Sequence, residues 1–473
     1  MPKRPKKASA VILVDLGFGD CTKGSTTDFL ARRRRTHTNV RFSGGPQAGH
    51  NVVTADGRHH TFSQFGSATF VSGVVSYLSR FMSVNPLSML VEARRLADLG
   101  VSDALARLRV DRECLVITPY QRAANRLREI ARCQGIHGSC GMGVGETVFD
   151  AQRIGPDALR WGDIENPALA LMKLRHVQEF KLADLAQLVR QCRENGWATQ
   201  EILDLESARL AELFLEEALK AFRQTKPVDR TYLGTRLTLP GQVIFEGAQG
   251  ILLDEWHGFM PFCTRATCTT KNALTLLREA EFGGVVERLG LVRAYMTRHG
   301  PGPFVTEDSH WLDRWADRHN VFDDWQRDFR VGWHDLLATK YAIAACGGLD
   351  GLVVSHLDRM KDLDHDWWVG IGYHLPYEMR AEAPEYFQVP DDNHFLWPIR
   401  GIKSIEPGHL ERQFALTEYL MAATPVYDSF VRRGVPHQQA CVEFLRRLSA
   451  ETGLPVRIAS HGPTAEDKVF LSV

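Results

Sequence analysis

The run Val11-Ile-Leu-Val-Asp-Leu-Gly-Phe-Gly-Asp-Cys-Thr-Lys-Gly-Ser25 constrains the fold more than any other stretch. Aliphatic residues lead straight into Gly17 and Gly19, with Asp20 and Lys23 ahead of Gly24. Polar residues and Phe29-Leu30 follow, which predicts a strand, a glycine turn and the opening of a helix. That order presents backbone N–H groups to a phosphate. A Walker A loop is excluded, because it needs Gly-Lys-Ser/Thr and the order here is Lys23-Gly24-Ser25. The Gly-x-Gly-x-x-Gly fingerprint fails too, since Thr22 stands at its third glycine. A tight strand-to-helix turn with no ligand is the alternative. Arg32-Arg-Arg-Arg35 suits the C-terminal end of the helix dipole.

Similar turns recur. Asn39-Val-Arg-Phe42 predicts a short strand, and Gly44-Gly-Pro-Gln-Ala-Gly-His50 a second glycine turn ending on a histidine. Pro86 to Leu108 has helical spacing, and Val110 to Val116 reads as mixed strand. Residues 135–146 form a third loop with five glycines, enough to suggest backbone held close to a ligand. Residues 165–223 predict a helical excursion. Val243-Ile-Phe-Glu-Gly-Ala-Gln-Gly250 is again a strand entering a glycine turn, and Leu289–Tyr295 and Gly351–Val354 read as buried strands. Strands alternating with helices imply an α/β fold around a large, mainly parallel sheet flanked by helices. Ligands then sit beyond the carboxyl ends of the strands, where the glycine turns lie. With no repeat or linker in view, residues 1–10 read as a basic, frayed tail and 11–473 as one large domain.

Bulk charge excludes two partner classes. Lysine plus arginine equals aspartate plus glutamate, 57 each, so nothing draws nucleic acid or an anionic membrane. No apolar run reaches the roughly 18 residues of a membrane helix. The nine cysteines are scattered, without a Cys-x-x-Cys pair. That predicts reduced thiols in a cytoplasmic protein rather than a disulfide framework or a zinc site.

The motifs coincide with one family. Gly19-Asp-Cys-Thr-Lys-Gly24, Gly44-Gly-Pro-Gln-Ala-Gly-His50, Phe245-Glu-Gly-Ala-Gln-Gly250 with Leu252-Leu-Asp254 and His257-Gly258, and Gly302-Pro-Phe-Val-Thr-Glu307 resemble the adenylosuccinate synthetases. Gly332-Trp333, Ser355-His-Leu-Asp358 and Ser460-His-Gly-Pro463 continue the resemblance in the same order to the C-terminus. It implies a purine nucleotide ligase. GTP, with ATP as the alternative donor, phosphorylates the 6-oxygen of IMP, and the amine of aspartate then displaces phosphate.

The resemblance also assigns residues. Asp20 matches the base that takes the purine N1 proton and, with the carbonyl of Gly49, a Mg²⁺ ligand. His50 matches the acid that stabilises charge on the 6-oxygen and the phosphoryl group. Gln249 matches the glutamine that holds the substrate nucleotide, and Thr264 a threonine near its phosphate. Arg153 matches an arginine reaching the nucleotide of a partner subunit, which implies a homodimer. Arg327 matches one near ribose and the amino-acid carboxylate. Asp358 matches the reader of the guanine N1 and N2 hydrogens, flanked by Ser460, Gly462 and Pro463. Nucleotide or substrate contacts are implied along the same motifs at Gly19, Lys23, Gly24, Gln47, Ala48, Ser139, Cys140, Ser355 and His356.

The departures cluster. Cys21-Thr22 replaces the family's Glu-Gly, Ser25 a lysine, Gln47 an asparagine, and Ser139-Cys-Gly-Met142 a Thr-Thr-Gly-Arg pattern. His356 stands where a lysine would flank the base. The Thr- and Arg-rich loop that grips aspartate reads Asp323-Asp-Trp-Gln-Arg-Asp-Phe-Arg330, with Phe329 in place of an arginine and Asp324 and Asp328 adding negative charge. Each Arg–carboxylate contact is worth roughly 1.5–3 kcal/mol, so a dicarboxylate is harder to hold there. Three readings follow: an IMP–aspartate ligase, the same chemistry with another amine or nucleotide, or a nucleotide-binding protein without turnover. A phage type acting on a guanine nucleotide lacks the aspartate, so the presence of Asp20 favours a hypoxanthine nucleotide.

Overall fold

The structure is a computed structural model that describes residues 8–316, 325–361, 363–389 and 398–471. Most of the basic tail, and Asp323 and Asp324, lie outside the described residues. The tail ends sooner than the sequence suggests, because Ser9 already begins the first strand and its N–H bonds the Gly241 carbonyl at 3.0 Å.

Ten strands form the central sheet: β1 (Ser9–Asp15), β2 (Thr36–Arg41), β3 (Val75–Leu78), β4 (Leu108–Asp111), β5 (Lys226–Val228), β6 (Gln242–Glu246), β7 (Val285–Arg293), β8 (Gly351–Ser355), β9 (Val456–Ser460) and β10 (Lys468–Phe470). Their order is β10-β9-β8-β7-β1-β6-β2-β3-β4-β5. Every neighbouring pair is parallel except β9–β10. β1 is central, with Leu13 level with Glu246 on one side and Leu289 on the other. Its side chains divide by alternation: Ala10, Ile12 and Val14 enter one core, Val11 and Leu13 the other. Burial on both faces is why its sequence reads as an unbroken apolar run.

The helical excursion holds Pro167–Asp184, Ala186–Glu194, Thr199–Glu206 and Arg209–Gln224, packed around a separate core that includes Trp161, Leu174 and Phe214. Two boundaries differ from the periodicity. The helix predicted over 86–108 stops at Asp98. Gly100 takes φ +86°, and the Gly100 and Val101 N–H groups bond back to Ala97 and Leu96, a Schellman ending that sequence spacing does not register. The strand predicted over Leu289–Tyr295 is two. β7 ends at Arg293, Ala294 turns its N–H to the Ser355 carbonyl, and Tyr295–His299 opens a second sheet with Phe329–Asp335, Trp367–His374 and Thr424–Val431. The second sheet therefore begins directly beneath the carboxyl edge of the first. No helix among the described residues is long and apolar enough to cross a membrane.

Candidate active site

The carboxyl ends of β9, β8, β7, β1, β6 and β2 stand side by side. The segments that follow them carry most of the residues singled out in the sequence. Three glycine turns, at 16–22, 247–250 and 42–49, interlock at the middle of that edge.

The first turn is wound around Asp15. This fully buried carboxylate accepts the N–H groups of Gly17 and Cys21, each at 2.9 Å, and the Lys23 ammonium at 2.5 Å. Burial alone would discharge Lys23, but Asp15 outweighs it and holds the amine above its ordinary range. Lys23 is thus committed to its own loop rather than held out to a ligand. Burial, reinforced by Asp15, pushes the Cys21 thiol well up, so it is no nucleophile. Gly24 also serves the chain itself: a Cβ there would meet the Asn51 carbonyl oxygen at 2.9 Å. Gly19 is different, with φ +106° and open space where a Cβ would stand.

The other turns close onto the first. A Cβ at Gly250 would lie 2.1 Å from the Gly17 carbonyl oxygen and 2.4 Å from the Gly19 nitrogen. One at Gly44, whose φ is +77°, would lie 2.7 Å from the Ala248 methyl and 2.9 Å from Gln249 Oε1. Ala48 is buried and Gly49 exposed within the second turn.

His50 sits buried at the start of the hairpin strand His50–Val53 rather than at an exposed tip. Its Nδ1 is 2.6 Å from Glu246 Oε1, at the end of β6. Glu246 also accepts the Ser67 N–H at 3.0 Å and the Ser67 hydroxyl at 2.5 Å. Burial opposes ionisation of Glu246, yet His50 and the buried Arg41 outweigh it and lower its carboxyl to about 2. Burial, with Arg41, brings His50 down to about 4, so the resting imidazole is neutral. With Nδ1–H given to the carboxylate, Nε2 carries the lone pair. Nε2 is buried and has no hydrogen-bond partner.

Asp20 lies across the first turn with φ +61°. His299 Nε2 is 3.3 Å from its Oδ2, and the Arg293 guanidinium donates to its backbone carbonyl at 2.8 Å. Burial favours the neutral acid, but His299, Arg293 and Lys23 hold the carboxyl far below the ordinary carboxylate range. Gln249, Arg327 and His356 share the left-handed backbone of Asp20, so four of the eight non-glycine residues with positive φ among the described residues are candidate site residues. Strained conformations of this kind collect where a side chain must be aimed. Both amide atoms of Gln249 and of Gln47 are also out of reach of water and unpartnered. Buried polar atoms are nearly always satisfied, so five such atoms in adjoining turns point to a polar ligand.

The adenylosuccinate synthetase family model matches residues 12–394. The chain belongs to the adenylosuccinate synthetase family. Adenylosuccinate synthetase of Edwardsiella ictaluri (strain 93-146) is 29% identical over 469 residues, covering 98% of each chain. That of Neisseria meningitidis serogroup B (strain MC58) is 26% identical over 471 residues, 98% of this chain and 99% of its own. Among solved structures, fully ligated adenylosuccinate synthetase from Plasmodium falciparum superposes with TM-score 0.75 at 17% identity, covering 98% of this chain and 99% of that one. Cyanophage S-2L succinoaminodeoxyadenylate synthetase (PurZ), bound to dGMP and dATP, gives TM-score 0.57 at 15% identity over 99% and 96%. The family is one of ligases of purine biosynthesis, and these two structures share the fold.

Other family positions fall at the rim of the same edge. Ser355 is buried and donates to the Val292 carbonyl at 3.2 Å, while His356 Nδ1 lies 3.0 Å from the Ser355 hydroxyl. Asp358 is partly exposed, and burial raises its carboxyl. Beyond β9, Ser460 donates to the Gly462 carbonyl at 3.1 Å, Gly462 leaves room for Asp467, and Pro463 is exposed. Thr264 is tied by its N–H to Leu253. The third glycine loop joins through Val144, which lies against Gly45, and through Trp325, which lies over Gly141. There Ser139 donates to Asn125 at 2.9 Å, and Cys140 is half-buried.

Two further arginines are exposed. Arg153, in the last turn of Val144–Ile154, is exposed and paired with Asp184 at 2.7 Å. Arg327 is exposed beside Phe329, which is buried with its ring 4.9 Å from that of His299. Arg330 ion-pairs with Glu307, and Arg298 bonds the carbonyls of Pro301 and Pro303.

Asp15, Glu246, Arg293 and His299 are the residues that sequence reasoning missed. Asp15 and Glu246 had a signal, each being a carboxylate ending an apolar strand ahead of a glycine turn. His299 had none, because only the fold brings it to Asp20.

Proposed function

We propose that this chain transfers a phosphoryl group from GTP, with ATP as the alternative donor, to the 6-oxygen of IMP. The amine of aspartate then displaces phosphate, giving adenylosuccinate and releasing inorganic phosphate. The observation that carries the reading is the group of unpartnered buried polar atoms on the interlocked turns: His50 Nε2 and the amides of Gln249 and Gln47.

In this mechanism Asp20, held ionised by its cationic neighbours, accepts the purine N1 proton as the 6-oxygen attacks the γ-phosphorus. Gln249 holds the base. His50, neutral at rest, becomes the acid once an anionic phosphate nearby makes its protonated form favourable, with Glu246 stabilising the imidazolium. Gln47 and the first-turn backbone around Gly19 cradle phosphate. Asp20 and the Gly49 carbonyl are hard oxygen donors that fit Mg²⁺, with phosphate oxygens completing the set. The ion would neutralise phosphate charge when bound. Asp358, with Ser355, His356, Ser460, Gly462 and Pro463, is the proposed site for the donor base, and Thr264 lies near the substrate phosphate. We assign Arg153 to the nucleotide site of a second copy in a homodimer; its exposure supports this.

A second reading, with an amine other than aspartate, is favoured by the acceptor loop. Phe329 is buried and apolar, and Arg330 and Arg298 are engaged within the chain. Incubation with IMP, GTP, Mg²⁺ and each amino acid in turn, followed by phosphate release and product mass, decides between them. Aspartate-dependent adenylosuccinate is the expected product. Phosphate release without it moves the assignment to another amine, and tight nucleotide binding without turnover refutes the enzyme reading. Asp20→Asn should cut phosphate release by about 10²–10⁴-fold while nucleotide still binds. Unchanged turnover would remove Asp20 from the mechanism.

A further inference from the structure

The loop that leaves β9 meets a second cluster of chemistry at the start of the helix His437–Thr452. His437 and Cys441 lie four residues apart on the helix His437–Thr452, so both face the same way. Cys441 Sγ is 3.6 Å from His437 Nε2. His461, in the loop that leaves β9, completes the group: one donor atom from each of the three residues lies within 4.8 Å of the others. We propose that His437, Cys441 and His461 form a transition-metal site that takes zinc.

The distances suit that ion. With Zn–S of about 2.3 Å and Zn–N of about 2.0–2.1 Å, a tetrahedral angle puts sulfur and nitrogen roughly 3.6 Å apart. One thiolate and two imidazoles are a soft to borderline donor set that magnesium and calcium do not select. Burial is graded, from Cys441 inside through His437 to His461 at the surface, so an ion can enter from solvent. Three protein ligands leave a fourth position for water. Binding exchanges the thiol proton for the metal: Cys–SH and M²⁺ give Cys–S–M⁺ and a released proton. The bound ion would pin the 460–463 loop to the helix behind it. This proposal does not depend on the identity of the nucleotide or amine, so the two readings fail separately.

The test uses the full chain, freed of metal by chelator and titrated with Co²⁺ alone. We expect one Co²⁺ per chain, a thiolate-to-cobalt charge-transfer band in the near ultraviolet and the intense visible bands of a tetrahedral ion, all displaced by Zn²⁺. Cys441→Ser should abolish the charge-transfer band, and Cys133→Ser, at an exposed thiol, should leave it intact. His461→Ala, at an exposed loop residue, should keep the fold by circular dichroism. It should weaken Co²⁺ binding by more than about 10-fold, the least that loss of even an outer partner of a metal ligand costs. Should Cys441→Ser not fold, His461→Ala decides. The absence of a charge-transfer band in the native chain, or Co²⁺ affinity unaltered in His461→Ala, would overturn the proposal.

Discussion

His50 illustrates how a single residue's chemistry is set by a partner distant in the chain. The ring is out of water, Arg41 opposes its protonation, and the Glu246 carboxylate at 2.6 Å is what favours the charged form. Glu246→Gln keeps the shape and removes that support. His50 should then titrate still lower, and phosphate release should fall by about 10²–10³-fold, as for loss of an electrostatic group in a preorganised site. Nuclear magnetic resonance of the His50 ring, alongside the rate, checks both, and an unmoved titration would show that Glu246 does not govern the proton. At this scale the sequence was only half legible. His50, Asp20 and Gln249 stood out because each ends or centres a glycine turn. Lys23 stood out equally and is bound to Asp15, because adjacency to glycine says nothing about which neighbour claims a charge. His299, the partner of Asp20, is separated from it by most of the chain and has no spacing to betray it.

At the scale of elements, glycine does two jobs that composition cannot separate. Gly19 leaves open space, whereas Gly44 and Gly250 let one turn lie against another and Gly24 lets the first helix lie against the strand His50–Val53. Gly250→Ala tests the second job. Its methyl would stand 2.1 Å from the Gly17 carbonyl oxygen, which is backbone and cannot swing aside. The turns after β1 and β6 must then part, with an expected loss of about 1–3 kcal/mol, the usual cost of overpacking. Because Asp20 and Gln249 ride on those two turns, kcat should fall together with the denaturation midpoint. A stable variant of unchanged activity would show that the contact is unimportant. Parallel strands and glycine turns were readable from apolar runs broken by glycine. The Schellman end at Gly100 and the break at Ala294 were not, because hydrogen bonds decided them rather than period. The absence of Cys-x-x-Cys likewise hid the His437, Cys441 and His461 cluster, whose members meet only when the start of the last helix reaches the loop after β9.

Taken whole, the molecule buries several titratable groups to support one edge of one sheet, and this predicts how its stability depends on pH. His50 and His334 are both fully buried and both lowered to about 4, chiefly by desolvation. Their ordinary value is about 6.5. Between pH 6.5 and 4 the unfolded chain therefore binds protons at these sites that the folded chain does not. Stability is full above about pH 6.5 and is lost as pH falls toward 4, by about 1.4 kcal/mol per pH unit for each histidine and about 3 kcal/mol each over the window. Asp335 works the other way. Burial raises it to about 6, so its contribution is present below pH 3.8 and is lost as pH rises through 6. His37, also lowered to about 4, adds to the histidine slope, while burial raises the carboxyls of Asp28, Asp111, Asp150 and Glu255 and opposes it. The test is therefore the difference between two chains: thermal midpoints measured from pH 4.5 to 7 should rise less steeply with pH in His334→Gln, which removes one of these protons, than in the native chain. Parallel profiles would mean that His334 is charged in the folded chain.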